Sequence, residues 1–153
     1  MSLQLVKIGD ANDSVLRTRA VEIPKVDKEI RKHIFSMDWI VREHKALGLA
    51  ANQVGLGIRL ILVRLDGRIT PMVNPVFEWK SKEKYEDDEG CLSIPGKRFW
   101  VPRHLAVGLK YTDQDGRDKN VELYELNARI VQHEIDHLDG IMISDYESLV
   151  MEK

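Results

Sequence analysis

Between Asp27 and His44 the chain repeats apolar residues at Ile30, Ile34, Met37 and Val41, in steps of four, three and four. Those steps fall on one face of a helix, so the pattern predicts an amphipathic helix over about 27–44, with Asp27 as its cap. After Gly48 the period changes. Ile58 to Leu65 reads I-R-L-I-L-V-R-L, charged only at Arg59 and Arg64, which predicts a mostly buried strand. Asp66-Gly67 signals a tight turn, with a return strand through Ile69 to Val73 and an extension at Val76 to Trp79. Val107, Leu109 and Tyr111 alternate as a strand does. The turn at 113–117, containing Asp115-Gly116, leads to another strand through Val121 and Leu123. Leu126, Ile130, Val131, Ile135 and Leu138 predict a second helix that begins near 126–127 and stops at Gly140. The stretch up to Pro24 reads as irregular, and the charged run 80–88 reads as a solvated loop. Strands in the middle followed by a helix imply an α+β fold, with antiparallel sheets packed on helices.

Composition narrows the function classes. There is no internal repeat, low-complexity tract or linker-like run, so residues 1–153 are expected to form a single catalytic domain. The 23 basic and 25 acidic side chains give a net charge of −2, which offers no nucleic-acid footprint. The apolar runs are too short to span a bilayer, and the first residues lack a secretory pattern, so no membrane role is expected. Cys91 is the one cysteine; no intramolecular disulfide can form, as suits a reducing cytoplasm.

The chemistry concentrates in three segments. The second helix carries His133-Glu134-Ile135-Asp136-His137. Residues i and i+4 lie one turn apart, so both imidazoles can reach one divalent ion, and Glu134 beside them can reach a water there without ligating. Two histidines and a glutamate can also share a polar helix face without a task. The flanking apolar positions, however, bury this helix, and buried polar groups need a purpose. A catalytic site wants a third protein ligand and an open position. The residue six after His137 is Ile143, so a third histidine at that spacing is missing. Asp139, Asp145 and Glu147 offer downstream acids. Upstream, Cys91 sits in E-G-C-L-S at 89–93, where a thiolate suits a soft or borderline metal and Gly90 allows close approach. The third segment, G-L-A-A-N-Q at 48–53, presents Gln53, an uncharged amide donor suited to a developing oxyanion. The residues alone leave three readings open: a hydrolase using Cys91, a metallopeptidase using a downstream acid, and a non-catalytic module stabilised by metal. Glu134 and Gln53 are superfluous to the last, which would also close its site with a fourth ligand.

Taken together, G-L-A-A-N-Q at 48–53, E-G-C-L-S at 89–93 and Q-H-E-I-D-H-L at 132–138 resemble the peptide deformylase family in order and spacing. Ile94-Pro95 and V-P-R at 101–103 extend the likeness. The resemblance implies a peptide deformylase-like fold, with antiparallel sheets around a central metal-binding helix. It implies hydrolysis of the N-formyl group from formylmethionyl N-termini of nascent polypeptides, with release of formate. Cys91, His133 and His137 would hold one divalent metal. Iron(II) is expected from the family, with zinc, nickel or cobalt able to substitute. Glu134 would move the proton from water to the leaving amine. The Leu92 N–H and the Gln53 amide would stabilise the tetrahedral oxyanion. Leu47 and Gly48 would bind the peptide strand-fashion, and Arg98 would lie near the groove. Two departures stand out. Ala46 replaces a usual glycine, so its methyl is expected either to narrow the groove or to demand a slightly different backbone, without touching the metal. The tail, S-D-Y-E-S-L-V-M-E-K, is short and not the basic helix with which bacterial members often dock on the ribosome; the resemblance leaves transient ribosome association open, with docking by that route in question.

His33, His44 and His104 have no partner pattern and read as surface or packing residues. Trp39, Trp79 and Trp100 read as core or rim packing, with Trp100 near the groove. Asp136 reads as support for the helix or the ligands.

Overall fold

The L-I-L-V run of residues 60–63 explains the architecture, because it feeds two cores at once. In the computed structural model of the protein, residues 3–146 are described, together with the backbone of 149–152. Helix α1 spans Lys28–Glu43 and is capped by the Asp27 carboxylate, which accepts from Ile30 N–H at 2.9 Å. Strand β1 is Gly48–Ala50, β2 Leu60–Leu65 and β3 Arg68–Lys80. Strands β4 (Lys84–Cys91) and β5 (Ile94–His104) form a hairpin, as do β6 (Ala106–Thr112) and β7 (Asp118–Tyr124). Helix α2 covers Glu125–Leu138, and β8 covers Leu149–Glu152. The strands make two antiparallel sheets, ordered β1-β2-β3-β6-β7 and β4-β5-β8.

Leu60 and Leu62 point towards Ile34, Met37 and Val41 of α1, while Ile61 and Val63 point towards Val131, Ile135 and Leu138 of α2. The larger sheet is thus covered on both faces, which is why β2 has no polar alternation. Helix α2 also reaches β5, so it lies between the two sheets. A third cluster, with Val6, Leu16, Ile94, Phe99, Val101 and Met142, ties the N-terminal segment to the smaller sheet. Gly140 stops α2 at φ 76°, and a β-carbon there would lie 2.7 Å from the Arg17 carbonyl oxygen. Among the described residues no helix is long and apolar enough to cross a membrane.

The α+β expectation and both helices agree with the structure. The charged run 80–88 does not: most of it is β4, an edge strand paired along its length with β5. Its Lys84, Glu86 and Asp87 face solvent, so backbone pairing rather than apolar alternation makes it a strand, and charge suits an exposed edge. Strand β5 does bury Phe99, Val101 and Arg103, but its prolines at 95 and 102 and a charged residue at a buried position hid the alternation. Of core or rim, the tryptophans take the rim: Trp39 is 62% exposed and Trp79 and Trp100 are 41% and 42% exposed, so none is a core residue.

Candidate metal centre

Helix α2 brings His133 and His137 to one side, with ring centroids 5.1 Å apart. Cys91 arrives from the end of β4. The register shifts between Gly90 and Cys91, and this irregularity carries the thiol out of the ladder towards α2. Cys91 Sγ lies 3.3 Å from His137 Nε2, and the candidate ligand atoms of Cys91, His133 and His137 all lie within 4.8 Å of one another. One thiolate and two imidazoles this close fit a tetrahedral divalent ion with one position left open. The downstream acids lie elsewhere. Asp139 pairs with Arg59 and Arg19, and Asp145 with Arg17; Glu147 lies outside the described residues.

Glu134 is 4% exposed, and its Oε1 has no hydrogen-bond partner among the described residues. Burial pushes its carboxyl up to about 7, against the opposing charge of His133, whose Nε2 lies 4.0 Å from Glu134 Oε2. Such a group can both accept and release a proton near neutrality. Burial also depresses His137, and the neighbouring His133 charge adds to that. His133 is held high despite its burial by the Glu134 and Glu89 carboxylates and the Cys91 sulfur.

Glu89, two residues before Cys91, organises the surroundings. Its Oε1 accepts from His133 Nδ1 and Arg103 Nη2, both at 2.8 Å. Its Oε2 accepts from Arg103 Nε at 3.0 Å and Arg129 Nη1 at 2.5 Å. Burial opposes ionisation of Glu89, but the Arg103 and His133 hydrogen bonds outweigh it and hold the carboxyl well below the usual range. The bond to Nδ1 leaves His133 Nε2 to face the ligand cluster. Asp136 continues the network, accepting from Arg103 Nη1 at 2.5 Å and Tyr146 OH at 2.7 Å. Sequence reasoning gave Glu89, Arg103 and Arg129 no role. A carboxylate two residues from a candidate ligand was the available signal for the first, and V-P-R at 101–103 was the signal for Arg103 on β5; Arg129, on the buried side of α2, carried none.

A cavity of about 880 Å³ opens over this cluster, lined among others by Ala46, Leu47, Gly48, Gln53, Leu92 and Arg98. Strand β1 is the edge of its sheet, so Gly48 lies on a strand with one free side. A β-carbon on Gly48 would sit 2.6 Å from Glu134 Oε2. Ala46 lines the cavity as expected, and its backbone is outside the left-handed region, so alanine is unstrained there. Arg98 pairs with Asp88 at the cavity wall. Trp100 is not part of the lining, whereas His44 is; His33 lies beside Glu29, and His104 Nδ1 meets the Ser81 carbonyl.

The comparisons with known proteins agree with one another. Residues 4–151 match the family model described as polypeptide deformylase. A peptide deformylase of Finegoldia magna is 36% identical over 148 residues, covering 95% of this chain and 90% of that protein. The crystal structure of peptide deformylase from Ehrlichia chaffeensis matches with TM-score 0.90 at 31% identity, covering 97% of this chain and 89% of that one. A Met-Ala-Ser-bound class I type b peptide deformylase from Acinetobacter baumannii matches with TM-score 0.88 at 29% identity, covering 95% and 98%.

Proposed function

We infer the reaction from one premise: this chain belongs to the polypeptide deformylase family. It is a metallohydrolase that removes the N-formyl group from formylmethionyl N-termini of polypeptides and releases formate. The observation that carries this reading to individual residues is the meeting of Cys91, His133 and His137 beside the buried Glu134 carboxyl. A divalent ion held by those three residues supplies Lewis-acid polarisation and lowers the pKa of water towards ~7. Glu134 takes the proton from the attacking water and delivers it to the amide nitrogen as the C–N bond breaks. Gln53 Nε2 and the Leu92 N–H face the oxygen that gains charge in the tetrahedral state. Leu47 and Gly48 receive the peptide backbone along the free side of β1, a mode of strand addition, and Arg98 flanks the groove. A formyl carbon carries only hydrogen, so a tight space there selects it over acetyl.

We assign iron(II) as the native metal, with zinc, nickel and cobalt as substitutes. A thiolate-ligated iron site is prone to oxidation. The test is purification without oxygen in the presence of iron, followed by formate release from formyl-Met-Ala-Ser. Protein that binds metal and releases no formate overturns the reading. Iron-loaded protein is expected to lose turnover in air while the zinc form stays constant at its own rate.

Gly48 gives a further expected result. In Gly48→Ala the new methyl must displace the Glu134 carboxyl, whose Cγ and Cδ would lie 2.9 and 3.0 Å away. A displacement of that size costs roughly 10²-fold in kcat. Steady-state kinetics beside a urea unfolding curve separates this from instability, which is expected to be only about 1–3 kcal/mol.

A further inference from the structure

Gln53 is held at both ends of its amide. Its Oε1 accepts from Ala50 N–H at 3.0 Å, which fixes the amide's orientation and turns Nε2 away from that backbone. Nε2 lies 3.2 Å from Ser93 Oγ and 3.5 Å from Cys91 Sγ. Ser93 is fully buried, and Gln53 is nearly so. The Ser93 hydroxyl spends its own proton on the Val6 carbonyl at 2.7 Å, so towards Gln53 it can only accept. Val6 N–H in turn donates to the Gln53 carbonyl at 2.7 Å, and Ile8 N–H donates to the Ser93 carbonyl at 3.0 Å. Val6, Ser93 and Gln53 therefore close a ring of hydrogen bonds. A primary amide is planar, so once one N–H is on Ser93 Oγ, the direction of the other is set. That second N–H points to the Cys91 side, where the ligand cluster lies.

We propose that Ser93, locked by the N-terminal segment at Val6, is a positioning residue that aims the second Gln53 N–H at the reacting oxygen; this rests on the oxyanion role proposed above for Gln53. The hydroxyl touches neither substrate nor ligand cluster and acts only through the amide. Without it Nε2 keeps one weak sulfur partner, and the single Ala50 N–H bond to Oε1 is left to hold the amide, which can then rock about its last torsion.

The test is a double-mutant cycle in nickel-loaded protein with formyl-Met-Ala-Ser. Ser93→Ala is expected to lower kcat about tenfold, as a misdirected group does, with KM and bound nickel unchanged. In a Gln53→Ala background the same change is expected to alter kcat less than about twofold, because coupled residues are not additive. The Gln53 side-chain amide protons, followed by NMR in nickel-free protein, are expected to lose exchange protection in Ser93→Ala. Ser93→Thr, which keeps the hydroxyl, is expected to retain most of both. An equal loss of kcat in the two backgrounds overturns the proposal, as does unchanged kcat or unchanged protection in Ser93→Ala. Wild-type turnover in Gln53→Ala overturns the oxyanion role and this proposal together. A slow Gln53→Ala beside a normal Ser93→Ala overturns this proposal alone.

Discussion

Glu134→Gln is expected to bind its metal as the wild type does and to release formate at most at about a thousandth of the wild-type rate, within the span typical of a lost general acid/base. The change preserves shape and leaves Cys91, His133 and His137 untouched. What it removes is the capacity to carry a proton, in a carboxyl that burial has pushed up to about 7 and whose Oε1 has no partner among the described residues. The base must be ionised to act, so kcat/KM should fall as pH drops through its apparent pKa. A divalent ion beside it favours the ionised form, which places that acid limb below about 7 in loaded enzyme. Metal content, kcat and the pH profile measured on the same preparation check the claim. A variant retaining more than about a tenth of the activity would falsify the role of Glu134.

The second large effect belongs to Glu89. Its two oxygens serve Arg103, Arg129 and His133 at once, in a site where Glu89, Arg103 and Arg129 are all buried. In Glu89→Gln the charge disappears, and an NH2 donor is turned on groups that are themselves donors. Breaking a buried ion pair on one side costs about 3–5 kcal/mol. That is a large share of the roughly 5–15 kcal/mol holding a domain of this kind together. Urea unfolding of metal-free protein measures this loss. His133 also loses the partner that fixes its ring, so metal affinity is expected to fall about 10–100-fold, read by chelator competition. The pH dependence has a definite sign. Because the folded carboxyl ionises well below the ordinary glutamate range, its stabilisation is complete above ~4.3 and is lost as pH falls towards the folded value. Glu89→Gln should lack that part of the acid slope, and an unchanged slope would show that the network does not depend on this charge.

The two helices and strands β2 and β6 were legible in the sequence because each buries one or both faces. Burial writes a period into the chain, as at Ile34, Met37 and Val41 or in the run from Leu60 to Val63. Strands β4 and β5 were not. In β4 the charged Lys84, Glu86 and Asp87 are exposed, and in β5 the buried positions Ile94, Phe99, Val101 and Arg103 include a charge and are interrupted by Pro95 and Pro102, so pairing left little mark on residue type. The same distinction separates what could be read of the site. The i, i+4 pair His133 and His137 with Glu134 between them is local geometry, and it came directly from sequence. Cys91 was the better candidate as their companion by residue type, with downstream acids left open, and the resemblance of its motif then favoured it.

The sequence by itself determined the helix that carries two histidines and a carboxylate, the apolar faces that bury it and the family to which its motifs belong. Tertiary structure decided which groups meet there. Glu89 on β4, Arg103 on β5 and Arg129 on α2 lie far apart in the chain and share one pair of carboxylate oxygens. Val6, Ser93 and Gln53 close their ring across three further segments. Gly48 is needed where it stands because Glu134 fills the space its side chain would take. Periodicity reports only what a residue does within its own helix or strand. The partner of a buried charge, and the room left beside it, are fixed when separate elements pack and water is removed, since only then must each polar group find its match.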